Sequence, residues 1–179
     1  SLVGSEMCIR DSREMAERLN EHGYILSSAN SINWGRLVPQ IVYYISAYCD
    51  LLNKGVIRNG EQINVCVPTG NFGDILAGYY AKQMGLPVGK LVCASNKNNV
   101  LTDFIKTGTY DARRTFYKTT SPSMDILISS NLERLLYHVS GSSAKVAGWM
   151  ADLAKTGMYT VDAETLARIQ ASFACGCAD

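Results

Sequence analysis

The sequence lacks the features that mark membrane-spanning and nucleic-acid-binding proteins. No apolar stretch approaches the ~20 residues that a membrane helix needs. There is also no basic run and no basic patch interleaved with aromatic residues. The 17 basic and 16 acidic residues leave a net charge of +1. Nucleic acids and membranes are therefore not expected partners, and a soluble globular protein is the class that remains.

Metal-binding residues are scarce as well. The only histidines are His22 and His138, and neither lies near a pair of cysteines, so we expect no metal site. The cysteines are scattered along the chain, as Cys8, Cys49, Cys66, Cys93, Cys175 and Cys177. Several of them fall inside apolar patterns, which predicts buried free thiols in a reducing compartment and hence a cytoplasmic location.

The length of 179 residues suits one domain, and no repeat or low-complexity linker divides it. The first residues are an exception, because residues 2–12 resemble one reading frame of the transposase adapter ligated to DNA in sequencing libraries. We expect residues 1–12 to be an adapter-like, non-native segment. The predicted domain covers residues 13–173, and residues 174–179 are a tail of uncertain origin.

The most informative stretch joins a predicted strand to a predicted helix. An apolar run that ends at Pro68 is followed by a loop with Gly70 and Gly73, and an amphipathic pattern begins directly after it. Glycine can adopt positive φ and lets the backbone approach a ligand, while the free amides and dipole of a new helix favour an anion. The pattern predicts a phosphate-binding loop, with an ordinary glycine-containing turn as the alternative.

A second polar segment precedes another predicted helix. Small hydrogen-bonding side chains fill residues 27–36, and the apolar face of a helix follows from Leu37 to Leu52. The side chains able to hold an anion at this N-terminus are Asn30, Ser31, Asn33 and Arg36. The alternative is that these residues are N-caps and a solvated arginine, but capping explains only one or two of the four. The group therefore favours a second anion site.

The remaining patterns predict an α/β fold. A strand over 61–67, a helix over 75–84 and a strand over 91–94 form a βαβ unit with parallel strands. The glycine loop then lies at the carboxyl end of its strand, where open α/β sheets bind ligands. Further predictions are a helix over 13–23, a strand over 24–26, and helices over 100–106, from 126, over 143–155 and over 162–173.

Together these motifs resemble those of threonine synthases. The similar stretches are Ser-Ala-Asn-Ser-Ile-Asn at 28–33 with Arg36, Val-Pro-Thr-Gly-Asn-Phe-Gly-Asp at 67–74, Gly-Leu-Pro at 85–87 and Ser-Pro-Ser-Met-Asp at 121–125. The likeness is continuous from about residue 13 to residue 173. It implies the fold of the tryptophan-synthase-β type (fold type II) pyridoxal-phosphate enzymes, a three-layer α/β arrangement with a mostly parallel sheet flanked by helices, of which this chain is a part.

The resemblance also implies a cofactor, a substrate and the residues that bind them. The residues that match the family's site for the phosphate of pyridoxal 5'-phosphate are Gly70, Asn71, Phe72 and Gly73, with Thr69 as a neighbour. Those that match the site for the phosphate of the substrate, O-phosphohomoserine, are Asn30, Ser31, Asn33 and Arg36. The family converts O-phosphohomoserine and water into L-threonine and phosphate, the last step of threonine biosynthesis, with the cofactor as electron sink.

The family's Schiff-base lysine has no counterpart in this sequence. In the family it precedes these segments, in a motif resembling Phe-Lys-Asp-Phe. The only lysine upstream of Gly70 is Lys54, at the C-terminal end of a predicted helix, where a solvated lysine is ordinary. We therefore expect no catalytic lysine here and an internal fragment that is inactive by itself, although its parent is an active lyase.

Other functions fit parts of the pattern. Dehydratases and cysteine synthases of the same cofactor class share the phosphate loop but do not need a second phosphate site. A threonine-synthase-like phospho-lyase would keep both anion sites and release a different product. Outside enzymes, the alternative is a phosphate-binding α/β module.

Overall fold

The structure is a computed structural model that describes residues 15, 18–25 and 31–178. The adapter-like segment 1–12 and Asn30 lie outside the described residues. Residues 18–20 are helical, and a turn ends at Gly23 with φ of +78°. In chain order, the elements that follow are α1 (Trp34–Leu37), a 3₁₀ turn (Val38–Gln40), α2 (Ile41–Asn53), β1 (Ile63–Pro68), α3 (Gly73–Gln83), β2 (Val88–Ser95), α4 (Val100–Thr107), β3 (Thr109–Asp111), a second 3₁₀ turn (Pro122–Met124), α5 (Leu132–Ser140), α6 (Ser143–Thr156), β4 (Met158–Thr160), α7 (Ala163–Ser172) and β5 (Phe173–Cys177).

The main sheet has three parallel strands in the order β1-β2-β5. Strand β2 is central and alternates buried and half-buried residues, with Leu91 and Cys93 fully buried. Helices α4 and α7 pack on β2 and β5, and α3 packs on β2. The predicted α/β class, with a parallel sheet flanked by helices, is confirmed.

The predicted βαβ unit is β1-α3-β2. Helix α3 buries the consecutive residues Ile75, Leu76 and Ala77, so it is buried on more than the single apolar face that an amphipathic pattern predicts. Helix α2 packs against it at a glycine, because a Cβ on Gly78 would lie 2.6 Å from the Tyr44 ring. The close approach of these two helices therefore requires the absence of a side chain at position 78.

The second sheet is antiparallel and joins β3 to β4. The rings of Tyr110 and Tyr159 stack with their centroids 5.3 Å apart, and Phe104 of α4 contacts both edge-on. No pattern in the sequence predicts these strands, because each is only three residues long. Strand β3 packs against α4 and β4 packs against α6. The pairing of β3 with β4 therefore connects the parts of the chain that precede and follow α5.

Several predicted elements need correction. Tyr24 and Ile25, predicted as part of a strand, are exposed and have no strand conformation. The helix predicted from residue 126 begins only at Leu132, because residues 119–129 form an irregular segment with its own hydrogen bonds. Cys49 and Cys66, expected to be buried, are exposed, since they face away from the core on α2 and β1. The predicted helices over 143–155 and 162–173 are confirmed as α6 and α7, with Asp162 capping α7.

The domain boundary predicted after residue 173 coincides with the start of β5. This strand pairs with β2 in parallel register over Phe173–Cys177, so the sheet continues into the segment 174–177. Within the described ranges, no helix is long and apolar enough to cross a membrane. The same residues contain no cluster of three or more potential metal ligands.

Candidate active site

The glycine loop follows β1 at the carboxyl end of the parallel sheet. Thr69 extends the ladder, since its amide donates to Ala94 O at 2.8 Å, and its Oγ1 donates to Val67 O at 2.7 Å. The chain then turns away from β2 through residues 70–72 and enters α3. This is the location at which open α/β sheets bind ligands, as the sequence predicts.

Phe72 shapes the loop through an unusual backbone conformation. It is the only non-glycine residue of the described ranges with positive φ, at +61°, and it occupies the N-cap position of α3. Its side chain is fully buried and packs on Phe173, with ring centroids 5.5 Å apart. A non-glycine residue in this region is strained, and such strain concentrates at functional sites. The backbone of Phe72 faces the loop while its ring belongs to the core.

The backbone amides of residues 70–75 form no hydrogen bond with any described residue. No side chain caps α3, because the N-cap residue is a phenylalanine. Helix N-termini normally satisfy such amides with a capping side chain, water or a ligand. An uncapped N-terminus next to two glycines is the arrangement that binds phosphate.

A cavity of about 170 Å³ opens at this N-terminus. It is lined by Ser31, Gln40, residues 68–75 and Ser123. Ser31 comes from the second candidate anion segment and lies directly against the glycine loop, because a Cβ on Gly73 would lie 2.7 Å from Ser31 Cβ. One cavity therefore joins the two segments that the sequence analysis predicts as anion sites.

Gln40 contributes a buried side-chain oxygen to the cavity. Its Oε1 forms no hydrogen bond with any residue that the structure describes. Buried polar atoms are nearly always paired, so an exception next to a cavity indicates a ligand or water contact. Since the oxygen and nitrogen of an amide side chain are interchangeable by a flip, Gln40 can offer either an acceptor or a donor to that cavity.

Asp74 brings a carboxylate to the wall of the cavity. The Tyr44 hydroxyl donates to Asp74 O at 2.9 Å and to Asp74 Oδ1 at 3.2 Å. Burial raises the pKa of Asp74 above its usual value, and the hydrogen bond from Tyr44 opposes that shift. Burial and the neighbouring Asp74 charge raise the pKa of Tyr44, which keeps the hydroxyl protonated as a donor.

The other predicted phosphate-binding side chains lie outside this cavity. Asn33 is the N-cap of α1, and its Oδ1 accepts from Gly35 N at 2.9 Å. Arg36 is exposed, and its guanidinium forms no hydrogen bond or ion pair with the described part of the chain. The structure thus brings Ser31 to the glycine loop, whereas Asn33 and Arg36 lie on the adjoining helix.

A third segment covers the loop from the opposite direction. A Cβ on Gly70 would lie 2.5 Å from Ser123 O, so only glycine allows this approach. Asp125 holds the segment in place: it accepts from the Thr119 amide at 2.8 Å and from the side-chain amides of Asn96 at 2.7 Å and Asn98 at 3.0 Å. Burial opposes ionisation of Asp125, but these hydrogen bonds together hold its pKa below the usual value.

Sequence reasoning missed four residues of the site region: Gln40, Ser123, Asn131 and Arg134. Ser123 belongs to the stretch 121–125 that resembles threonine synthases, so a signal for it existed. Gln40 lies in a predicted helix and Asn131 and Arg134 in a segment predicted to be helical, where polar residues are ordinarily solvent-facing. Nothing in their spacing identified them.

Comparison with known proteins supports the resemblance to threonine synthases. No family model matches the sequence. The chain is 61% identical over 127 residues to threonine synthase-like 1 of Homo sapiens, over 70% of this chain and 17% of the relative. It is 42% identical over 147 residues to threonine synthase of Saccharomyces cerevisiae, over 76% of this chain and 28% of the relative.

Solved structures agree. The crystal structure of pyridoxal-phosphate-bound threonine synthase from Brucella melitensis superposes with a TM-score of 0.77 and 44% identity, over 85% of this chain and 32% of that one. The chain therefore spans at most 32% of the length of these relatives. Its parallel α/β fold is the fold of the type II pyridoxal-phosphate enzymes. In both sequence and fold, the chain is threonine-synthase-like.

Proposed function

We propose that this chain is part of a threonine synthase, a pyridoxal-phosphate-dependent lyase that converts O-phosphohomoserine and water into L-threonine and phosphate. The observation that carries the proposal is the cavity in which Ser31 meets the amides of residues 70–75, which have no hydrogen-bond partner in the described part of the chain. The names of the yeast and Brucella relatives support the same activity. As in the sequence analysis, we propose a cytoplasmic location.

The loop fits the phosphate of pyridoxal 5'-phosphate. Its amides supply donors that no atom of residues 15, 18–25 and 31–178 uses, and its glycines leave the space that a side chain would fill. The residues that would hold this phosphate are Gly70, Asn71, Phe72 and Gly73, with Thr69 beside them. Phe72 contributes only its backbone, because its ring is buried. When bound, the cofactor supplies the electron sink for the reaction.

The neighbouring segment fits the phosphate that the substrate carries and loses. Asn30, Ser31, Asn33 and Arg36 would bind it, and Ser31 already borders the cofactor loop. The exposed guanidinium of Arg36 supplies the charge and bidentate geometry that suit a phosphate. In the reaction the bond between the γ carbon and the phosphate oxygen breaks, phosphate departs, and water adds at the β carbon.

A second candidate is a threonine-synthase-like phospho-lyase, with the same anion sites and a different product. The observation that favours it is the identity to threonine synthase-like 1, which is 61% against 42% to yeast threonine synthase. Product analysis of the full-length protein on O-phosphohomoserine separates the two. Threonine and phosphate in equal amounts support the synthase, phosphate with another product supports the phospho-lyase, and no phosphate release contradicts both.

We further propose that the lysine to which the cofactor is attached lies outside these 179 residues. Borohydride reduction of the cofactor-loaded full-length protein, followed by peptide mass spectrometry, tests this. The expected modified lysine lies in a peptide that precedes the segment described here. A modified Lys54, or another lysine of this chain that keeps its cofactor through dialysis, would contradict the proposal. A phosphate-binding module without catalysis would bind the cofactor reversibly and carry no specific modified lysine.

A further inference from the structure

Asn131 lies behind both candidate phosphate loops. It is fully buried just before α5, and its Nδ2 donates to Ser31 Oγ and to Asn71 O, each at 2.9 Å. Its backbone amide donates to the same Asn71 oxygen at 3.2 Å. A single residue therefore joins the glycine loop to the segment that carries Ser31.

Arg134, one turn later on α5, completes this connection. Its guanidinium donates to Ser31 O at 2.9 Å and also to Ile32 O and to Asn131 Oδ1. The last of these bonds fixes the orientation of the Asn131 amide, with its oxygen toward Arg134 and its nitrogen toward the loops. The planar fork of arginine supplies these donors in a fixed geometry that the single ammonium of a lysine does not reproduce.

These contacts determine the direction of the backbone donors. A trans peptide group is planar, and its C=O and N–H point in opposite directions. Because Asn131 binds the Asn71 carbonyl, the Phe72 N–H is directed away from Asn131. In the same way, Arg134 directs the amides that follow Ser31 and Ile32 away from itself. The carbonyls of Asn71, Ser31 and Ile32 are thus held toward Asn131 and Arg134, which turns the amide that follows each of them away.

We propose that Asn131 and Arg134 are positioning residues that fix the distance and orientation between the cofactor-phosphate loop and the substrate-phosphate segment. This inference rests on the proposed function, because it concerns the same two sites. Neither residue lines the cavity of the glycine loop, so their role is to hold the residues that do.

The two residues have different contacts and should therefore have different effects. Asn131 contacts both the glycine loop and Ser31, whereas Arg134 contacts the substrate-phosphate segment and reaches the glycine loop only through Asn131. Loss of the arginine fork should disturb substrate binding more than cofactor binding. Loss of the asparagine should disturb both. A general loosening of the fold would not produce this difference.

The experiment compares Arg134→Lys and Asn131→Ala in the full-length protein that contains this chain. Arg168→Lys is the matched control, since Arg168 also donates to a backbone carbonyl, that of Val139, but contacts neither loop. The measurements are the dissociation constant of pyridoxal 5'-phosphate by fluorescence titration of the apoprotein, KM and kcat for O-phosphohomoserine, and thermal melting.

For Arg134→Lys we expect KM to rise about tenfold, the equivalent of one hydrogen bond, with cofactor affinity within about twofold of wild type. For Asn131→Ala we expect both KM and the cofactor dissociation constant to rise at least about tenfold. The control should change neither. Equal losses in both constants for Arg134→Lys, or a lowered melting temperature with both constants unchanged in both variants, would overturn the inference.

Failure of the proposed function gives a different result. A wild-type protein that binds the cofactor but releases no phosphate from O-phosphohomoserine would contradict the proposed substrate. In that case, competition by inorganic phosphate replaces KM as the measure of the second site. The contrast between Arg134→Lys and Asn131→Ala in cofactor affinity still decides the role of the two residues.

Discussion

A Cβ atom added to Gly73 would lie 2.7 Å from Cβ of Ser31 and 2.8 Å from its hydroxyl oxygen. The first residue of α3 and the segment before α1 are therefore in direct contact, although 42 positions separate them in the sequence. The proposed cofactor and substrate phosphates would bind on either side of this contact. This contact therefore sets the minimum distance between the two loops.

The first prediction concerns this contact. Gly73→Ala should destabilise the protein by about 1–3 kcal/mol, because the added methyl group overpacks a site that has no free space. It should also weaken binding of pyridoxal 5'-phosphate by pushing the two loops apart. Urea denaturation and a cofactor titration measure the two effects.

Gly148→Ala is the matched control for this prediction. Gly148 lies within α6, and an added Cβ would have no neighbour within 4 Å. Here the same substitution should stabilise the protein by about 1 kcal/mol, the difference in helix propensity between alanine and glycine. If Gly73→Ala were as stable as wild type and bound the cofactor equally well, the contact with Ser31 would not limit the site.

The fold was largely predictable where the pattern is local and strong. The strand, glycine loop and helix around Gly70 have clear periodicity and turn chemistry, and all three form as predicted. The helix predicted from residue 126 does not begin there, because the Tyr110 hydroxyl donates to Leu127 O and accepts from the Ser129 amide, which holds these residues in an irregular conformation. Tyr110 lies 17 and 19 positions before Leu127 and Ser129, so no local pattern reveals this contact.

The site was predictable only in part for the same reason. The glycine loop is encoded by consecutive residues, so its position could be read directly. The roles of Asn131 and Gln40 arise from contacts that exist only after folding. A buried asparagine on a polar-looking helix start is indistinguishable in sequence from a solvated one.

The second prediction concerns the carboxylate of Asp125. Asp125→Asn should destabilise the protein by about 1–3 kcal/mol at pH 7, because an amide nitrogen would replace an oxygen that now accepts from buried or half-buried donors. Asp152→Asn, at an exposed position on α6, should have little effect. The free energy of unfolding from urea denaturation measures both.

The pH dependence of this effect has a definite sign. The pKa of Asp125 is lower in the folded protein than its ordinary value, so ionisation stabilises the fold. This stabilisation is fully present above the unfolded-state pKa of about 3.9 and is lost as the pH falls through the folded-state value. The stability difference between wild type and Asp125→Asn should therefore shrink below about pH 4. A difference that is constant from pH 7 to pH 3 would contradict this account.

The third prediction concerns the cysteines of the sheet. Burial raises the pKa of the Cys93 thiol to about 11, so at pH 8 only about one molecule in a thousand carries the reactive thiolate. Cys66 on the neighbouring strand β1 is exposed. Alkylation followed by mass spectrometry should label Cys66 rapidly and Cys93 only in denaturant. Equal rates for the two thiols in the native protein would show that the centre of the sheet is open.

The last prediction concerns Gln40, whose side-chain oxygen has no hydrogen-bond partner among the residues that the structure describes. Replacing it by methionine, which has similar length but no amide, removes a buried acceptor that lacks a hydrogen bond. Gln40→Met should therefore raise the free energy of unfolding of the ligand-free protein by about 1 kcal/mol. The same change should weaken binding of the cofactor or of inorganic phosphate, because the cavity loses a polar contact.

Gln83→Met tests whether the combination of higher stability and weaker ligand binding is specific to the cavity. Gln83 is an exposed residue at the end of α3, so its replacement should alter neither stability nor binding appreciably. Unpaired buried polar groups lower stability and persist where function requires them. A Gln40→Met protein that gains stability and loses ligand affinity would place Gln40 in the binding site. One that loses stability and keeps its affinity would instead assign Gln40 to the packing of the 3₁₀ turn Val38–Gln40 against α3.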